Sequence, residues 1–178
     1  IKDIYATSID YDHKDEETIA FFKVVQNKLL WAISQQTAAE LVYRRVDAAL
    51  PLMGIQSLDK QGALPIRKSD VGIAKNYLNE DEIKLLGLLV EQYLAFAETM
   101  AQQRTSMYMK DWTQRLDAII QLNGRELLTH AGRISHQMAL EKSALEYDKY
   151  REAGQQREHE ESLKELEQDI QQLTPRKS

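Results

Sequence analysis

The strongest pattern of hydrophobic and polar positions in this chain lies between Asn79 and Arg104. Asn79 is a suitable N-cap, and Glu82 three positions later completes a capping box, so the pattern has a defined start. Apolar residues follow at helical spacing in two adjacent rows and leave only a narrow polar strip. The rows are Ile83, Leu86, Val90, Leu94, Ala97 and Ala101, then Leu85, Leu89 and Phe96, and the strip is Lys84, Glu91, Glu98 and Gln102. Because so little of its surface is polar, we expect a central helix with neighbours on several sides.

Two further helices are predicted ahead of the central one. Asp15 is a suitable N-cap for a helix that continues to about Gln36, and the residues before it form an extended lead-in without helical periodicity. Thr37 and Glu40 form a second capping box, which begins the next helix, and Pro51 prevents that helix from continuing. Its expected inward face is Ala38, Leu41, Val42 and Ala49, and its expected outward face is Glu40, Arg44 and Asp47.

An irregular stretch, residues 51–66, separates these helices from the central one. It holds two Gly and two Pro. Loops of this length in compact domains are often functional or mobile, although a plain surface connection is the simpler interpretation. After it, Ser69 or Asp70 is expected to cap a short helix that leads into the central one. The apolar residues of this short helix are Val71, Ala74 and Leu78.

Two more helical patterns follow the central helix. The first begins near Asp111, and the Asn123–Gly124 pair ends it, because Gly readily takes the left-handed conformation found at helix C-termini. The second runs from Leu127 to Leu145, and Gly132 weakens it at the point where a break would fall. The apolar residues of the two patterns are Trp112, Leu116, Ile119 and Ile120, then Leu127, Ala131, Ile134, Met138 and Leu145.

The pattern changes beyond Tyr150. No large apolar side chain occurs from Arg151 to Glu161, so this segment has little to bury and should project into solvent. An apolar seam with 3-4-3 spacing follows, which is short for a coiled coil. The seam is Leu163, Leu166, Ile170 and Leu173. We therefore divide the chain into a helical bundle domain, residues 1–150, and a charged C-terminal helical arm with a disordered tail, residues 151–178.

Composition narrows the classes of fold and function. Seven Gly and three Pro among 178 residues argue against a many-stranded β fold, so we predict an all-α, multi-helix bundle around a central long helix, with a projecting C-terminal helical arm. The net charge of −5 disfavours direct binding of duplex nucleic acid. The absence of cysteine excludes disulfides and thiolate chemistry and fits a cytoplasmic protein. We expect neither a membrane span nor a signal peptide, and the missing initiator Met suggests a fragment.

Six stretches carry a resemblance to a known family: SIDYD (8–12), FFKVVQNKLLWAI (21–33), TAAELVYRRVDA (37–48), RKSDVGIAKNYLNEDE (67–82), MYMKDWTQRLDAIIQLN (107–123) and THAGRIS (129–135). Over about residues 1–150 the chain resembles the C-terminal part of the virulence protein RhuM family of bacteria. The resemblance implies that a preceding region, similar to phage antirepressor-type DNA-binding modules, is absent here. It implies no catalytic residue. Relatives fused to Fic-type domains carry a His-Pro-Phe…Gly-Asn-Gly-Arg signature that this sequence lacks.

Two groups of residues are candidate sites. Basic residues flank the irregular stretch, and Ser69 at a predicted helix start would add backbone N–H donors for an anion. The candidate anion-binding residues are Arg44, Arg45, Arg67, Lys68 and Ser69. Pairing of these cations with neighbouring carboxylates is the simpler interpretation, and the spacing of a P-loop is absent. His130 and His136 do not share a helical face, and Glu126 with His130 supplies too few ligands, so we expect no metal and no cofactor.

These observations support two hypotheses about function. The preferred one is a non-enzymatic interaction or oligomerisation domain, which forms a homo-oligomer or docks a protein partner and serves the absent DNA-binding-like region. Nucleic acid would then be bound only through that region, and no membrane is involved. The alternative is an enzyme or binder that acts on a phosphate-containing ligand, such as a nucleotide or nucleic acid, near Arg44 and Arg67.

Overall fold

The computed structural model describes residues 5–12, 14, 16–56 and 65–173, with side chains as far as Ile170. Within these residues the chain forms five α-helices and no β-strand, which confirms the all-α prediction. The helices are α1 (Glu16–Ser34), α2 (Ala38–Arg45), α3 (Glu80–Gln102), α4 (Met109–Leu122) and α5 (His136–Leu173). Two short 3-10 helices, Pro51–Gly54 and Ala74–Tyr77, lie between α2 and α3. No helix in the described part of the chain is both long and apolar enough to traverse a lipid bilayer.

One hydrophobic core lies between α1, α3 and α4, which contact one another in pairs. Its centre is aromatic. The ring of Tyr93 lies 6.2 Å from that of Trp112 in an edge-to-face arrangement. Leu89 of α3 and Leu116 of α4 are fully buried beside these rings. The long helix of the sequence prediction therefore supplies one side of this core.

A second core lies between α2, the two 3-10 helices and the first half of α5. Val42, Tyr77 and Ala139 are buried within it. The turn at Gly54 closes this core tightly. Gly54 has a φ of +79°, and a Cβ atom there would lie 2.3 Å from the carbonyl oxygen of Arg45. Glycine is therefore required at this position both by conformation and by space.

Residues 5–12 lie against the first core and do not form the extended lead-in predicted from the sequence. Tyr5 is fully buried, and its hydroxyl lies 3.0 Å from that of Tyr93. Tyr93 donates a hydrogen bond of 2.9 Å to the backbone carbonyl of Trp112. The N–H of Met109 donates to the carboxylate of Asp10, which ties the same segment to the start of α4. The prediction is wrong because a single buried aromatic side chain anchors a segment that has no periodicity of its own.

Helix α3 begins at the capping box predicted for it. The side chain of Asn79 accepts a hydrogen bond from the N–H of Glu82, and the carboxylate of Glu82 accepts one from the N–H of Asn79. The expectation of neighbours on several sides is wrong, since Ile83, Leu88 and Leu94 are exposed. Helices α1 and α4 are its main neighbours. One face of α3 stays in solvent because α2 and α5 pack against each other in the second core instead.

The predictions for the region between α1 and α3 have different outcomes. The capping box of Thr37 and Glu40 is present. Glu40 is wrongly placed on the outward face, since it is buried. The short helix expected from Ser69 or Asp70 is absent, because the Asp70 carboxylate accepts a hydrogen bond from the backbone three residues earlier, as in a turn. Only the 3-10 helix Ala74–Tyr77 follows.

The segment between α4 and α5 also differs from its prediction. Helix α4 ends before Gly124, which has a φ of +69°, as the Asn-Gly pair predicts. The helical pattern predicted from Leu127 is wrong, since no helix forms before His136. Gly132 has a φ of +87°, and a Cβ there would lie 2.9 Å from the side chain of Thr37. This segment therefore follows the surface of α2 and does not coil into a helix.

Helix α5 is continuous across the predicted domain boundary at Tyr150. All residues from 151 to 170 are exposed except the half-buried Gly154, so the predicted projecting arm is confirmed. The division into two domains stays a prediction. Four predicted features lie outside the described residues: the N-cap at Asp15, the middle of the irregular stretch, the side chain of Leu173 and the disordered tail.

We expect Tyr93→Phe to lower the free energy of unfolding by about 1–2 kcal/mol, because it removes a buried hydrogen bond and leaves the Tyr5 hydroxyl without this partner. Urea unfolding followed by circular dichroism measures the change. The control is Tyr108→Phe, since Tyr108 is exposed. Equal losses in the two variants would contradict a structural role for the buried hydroxyl pair.

Candidate interaction surface

The position of α5 is set by Glu40, a carboxylate in the first turn of α2 that is 3% exposed. Its Oε2 accepts a hydrogen bond of 2.9 Å from the N–H of Thr37, and its Oε1 accepts one of 2.8 Å from the N–H of Arg133. Burial alone would raise the pKa of Glu40, but the two N–H donors bring that pKa below its usual value. One ionised side chain therefore caps α2 and holds the segment that leads into α5.

Two further hydrogen bonds hold α5 against α2 and the residues that follow it. Lys142 Nζ donates to the carbonyl of Tyr43 at 2.6 Å, in the last turn of α2, where the helix dipole favours a cation. The N–H of Ala48 donates to Glu146 Oε2 at 2.9 Å. The ammonium of Lys149 and this N–H together lower the pKa of Glu146. The base of α5 is thus fixed, and with it the direction in which the arm leaves the bundle.

The arm presents three large apolar side chains to solvent. Leu163 is 48% exposed, Leu166 57% and Ile170 58%. At spacings of three and seven residues they lie on one face of the helix. We call these three residues the arm seam. The predicted seam is therefore present on an exposed helix as far as the side chains are described.

The arm is acidic. Residues 151–173 contain three basic and seven acidic residues, a net charge of about −4 by count. From their positions in the helix, Glu160 and Glu167 flank the arm seam on one side and Asp169 on the other. The apolar row is consequently bordered by negative charge.

An apolar groove with a volume of about 550 Å³ opens at the base of α5. We call it the basal groove. Its size lies within the range of about 300–1,000 Å³ that is common for binding clefts. Its floor is formed by the buried residues Leu29 and Leu30 of α1, Val42 of α2 and Ala139 of α5. Ile73 and Leu140 stand at its rim and are exposed.

Three polar side chains line the basal groove beside its apolar floor. Lys75 and His136 line it together with the polar Gln26. No carboxylate of the described residues lines it. The groove therefore combines an apolar floor with a partly polar rim.

Arg45, a candidate anion ligand, is already bound to a carboxylate. Its guanidinium donates two hydrogen bonds to Glu82, at 2.6 and 2.7 Å, and a third of 2.8 Å to the carbonyl of Tyr77. The bonds from Arg45 are the main reason that the pKa of Glu82 lies below its usual value, although burial opposes this. The side chains joined here connect the end of α2 to the start of α3. Arg45 is thus a structural residue in this arrangement.

The other candidate anion ligands lie on the surface. Arg44 and Arg67 are exposed. Lys68 Nζ lies 3.9 Å from a carboxylate oxygen of Asp148 on α5, and both side chains are more than half exposed. Lys68 and Ser69 together line a shallow cavity of about 360 Å³ against α5. The structure therefore brings two of the five candidates together, and the anion site stays a prediction.

The mid-chain histidines have separate surroundings. The ring of His130 lies 4.7 Å from that of Trp31, and its Nδ1 accepts a hydrogen bond from the N–H of Gly132. His136 lines the basal groove. Across residues 5–12, 14, 16–56 and 65–173, no group of three His, Asp or Glu side chains is placed to hold a metal ion.

Two features of this surface were not predicted from the sequence. The capping box at Thr37 was recognisable, but the second oxygen of Glu40 binds a backbone N–H 93 positions further along the chain. No local pattern reveals such a partner. The basal groove combines residues from α1, α2, α3, α5 and the connection that precedes α3. No pattern within a single segment predicts such a combination.

We expect Glu82→Gln to lower the free energy of unfolding by about 2 kcal/mol at pH 7, because it removes a charged acceptor from Arg45. The folded state lowers the pKa of Glu82, so this stability is present above the unfolded pKa of about 4.3 and is lost as the pH falls through the lower folded value. The difference from the native chain should therefore shrink below about pH 5.

Denaturant unfolding at several pH values from about 3 to about 7 measures this difference. The matched control is Glu80→Gln, whose exposed pair with Lys84 should contribute less than about 0.5 kcal/mol. A Glu82→Gln effect that stays constant across the range would show that the charge of Glu82 does not stabilise the fold.

With this geometry established, comparison with known proteins identifies the family. The model of the virulence protein RhuM family matches residues 1–160, which include α1 to α4 and more than half of α5. No curated protein and no solved structure matches the chain. The resemblance read from six stretches of sequence is confirmed by this match, which covers most of the 178 residues. The chain belongs to the virulence protein RhuM family.

Proposed function

We propose that this RhuM-family domain is a non-enzymatic helical interaction domain that associates through its C-terminal arm. The observation that supports this most is the exposure of the arm seam on a helix that projects from the bundle. Apolar surface in water is unfavourable in proportion to its area. A row of such side chains on a projecting helix is therefore typical of a surface that another protein covers.

The direction of the arm also supports association. Three hydrogen bonds of Glu40, Lys142 and Glu146 hold α5 and the segment before it against α2 and the residues that follow it. A helix fixed at one end presents its seam in one orientation, which reduces the entropy lost when a partner binds.

Self-association is the form of this function that we favour, and a different protein partner is the alternative. Pairing of two copies would bring together whatever is joined to the start of the bundle. In the resemblance described above this is a DNA-binding-like region, and nucleic acid would be bound by that region alone. The absence of cysteine supports a cytoplasmic setting for the proposed assembly.

We expect the native chain to form a dimer or larger species at tens of micromolar, and Leu166→Asp with Ile170→Asp to reduce it to a monomer, because carboxylates replace the apolar contact. Light scattering after size-exclusion chromatography measures the mass. The control is Leu88→Asp on α3, which is 55% exposed and so closely matches the two arm residues. A monomeric native chain, or an arm variant that keeps the native mass, would refute self-association through the arm.

A second candidate function is the binding of a phosphate-containing ligand, such as a nucleotide or nucleic acid, where Lys68 and Ser69 meet α5. The shallow cavity that these two residues line favours it, and Arg44 and Arg67 are exposed. Two observations make it the weaker candidate. Asp148 lies close to Lys68, and Arg45 is already bound to a carboxylate.

Under this second function, ATP or inorganic phosphate should raise the melting temperature, since a ligand at about 100 times its Kd adds about 2.7 kcal/mol to the stability of the folded state. A thermal-shift assay measures this. Lys68→Ala and Arg67→Ala should abolish the increase, whereas Lys84→Ala, an exposed lysine on α3, should retain it. No shift with either compound would eliminate this function.

A further inference from the structure

We propose that the arms of two copies of this chain pair in parallel and in register, with both bundles at the same end. The inference rests on the proposed function, because it specifies how the arm seam meets a second copy. Leu163, Leu166 and Ile170 have the spacing of a, d and a positions in a heptad, and Leu173 follows in the sequence at the next d position. In parallel coiled coils, Ile at a with Leu at d favours two strands.

The arm seam lies on the side of α5 that faces away from the bundle. Ala139 and Ser143 are the buried residues among those of α5 whose side chains are described. At about 100° per residue, the three residues of the arm seam lie about 140° to 200° around the helix from Ser143. Two copies can therefore bring their seams together while each bundle stays on the outer side of the pair.

The residues that flank the seam distinguish the two possible orientations. The flanking e and g positions of the described arm are Gln155, Glu160, Ser162, Glu167 and Asp169. In a parallel pair, a g position faces the e position that follows it on the partner helix. Gln155 then faces Glu160, Ser162 faces Glu167, and Asp169 faces position 174, which carries no charge. The parallel orientation therefore opposes no two carboxylates at the flanks of the seam.

The antiparallel orientation opposes like charges. When the seam residues of two antiparallel arms are in contact, e positions face e positions and g positions face g positions. Glu167 then meets Glu167 of the second copy, and Asp169 meets Asp169. The basic residues of the arm do not offset this repulsion, because Arg151, Arg157 and Lys164 lie outside the flanking positions. Charge therefore favours the parallel pair.

The same heptad pattern limits the length of the contact. Gln156 and His159 occupy the a and d positions before the seam, and both are polar without a permanent charge. Glu152 occupies the preceding d position and would meet its own copy in a parallel pair. The contact therefore begins at Gln156, and the two helices separate toward their bundles. A contact this short agrees with a dimer that forms at tens of micromolar.

Disulfide cross-linking tests the orientation, because the chain has no cysteine of its own. His159→Cys places a thiol at a d position, where a parallel pair brings the two thiols within disulfide distance. In the antiparallel pair, position 159 lies far from its own copy. The control Gln168→Cys places the thiol on the outer side of either pair. We expect diamide to link the His159→Cys chains roughly tenfold faster or more, because only their thiols are held at a high effective concentration. Non-reducing gel electrophoresis measures the linked dimer over time.

The outcomes separate the orientation from the association itself. Equal rates of linkage in the two cysteine variants, while both keep the dimeric mass of the native chain, would overturn the parallel orientation and leave the proposed function intact. A native chain that is monomeric would overturn the proposed function.

A charge substitution tests the same contact without cysteine. Ser162→Lys places a cation opposite Glu167 of the partner on both sides of a parallel pair, and should lower the Kd of dimerisation by roughly threefold or more. In a Glu167→Gln chain the same substitution should lose this gain, because the opposed charge is gone. Sedimentation velocity of the native chain, the two single variants and the double variant measures the four Kd values. A gain of equal size in both backgrounds would contradict the parallel contact.

Discussion

The hydrogen bonds between charged side chains and the backbone around α2 are the interaction on which the rest of the structure depends. A helix of eight residues is too short to be stable alone, and both of its ends carry unpaired backbone groups. Glu40 binds the N–H of Thr37 and reaches the N–H of Arg133, while Lys142 of α5 binds a carbonyl of the last turn. Helices α2 and α5 therefore stabilise each other, and the direction of the arm follows from their contact.

The two cores bury only part of the apolar side chains of the chain. Helices α1, α3 and α4 bury an aromatic centre, and α2 with the base of α5 buries a second cluster. Large apolar side chains remain exposed on one face of α3, at the rim of the basal groove and along the arm seam, and also elsewhere, as at Leu122 and Leu145. Arg45, the cation with the best-defined geometry, is already bound to Glu82. The exposed surface is therefore partly apolar, and the best-placed charge is structural.

Sequence reasoning predicted the features that local chemistry determines. The capping boxes at Thr37 and Asn79, the end of α4 before Gly124 and the exposed arm all depend on residues within a few positions of one another. The buried position of Tyr5 was missed because its partner, the Tyr93 hydroxyl, is 88 positions away. The inward position of Glu40 was missed for the same reason.

Helix α3 shows the limit of periodicity. Its two apolar rows predicted burial on several sides. Burial also requires neighbouring helices on those sides, and their number cannot be inferred from the sequence of one helix. Of the candidate site residues, the three of the arm seam are exposed and their role in binding stays a prediction, whereas the five anion candidates are divided between a structural ion pair and the surface.

The continuity of α5 has a mechanical consequence. One rigid rod connects the groove at its first turn to the exposed leucines about 40 Å away, with no hinge between them. A tilt of about 10° at the base therefore displaces the far end by about 7 Å. Any rearrangement of side chains that tilted the base of this helix would therefore be amplified into a larger displacement of its tip.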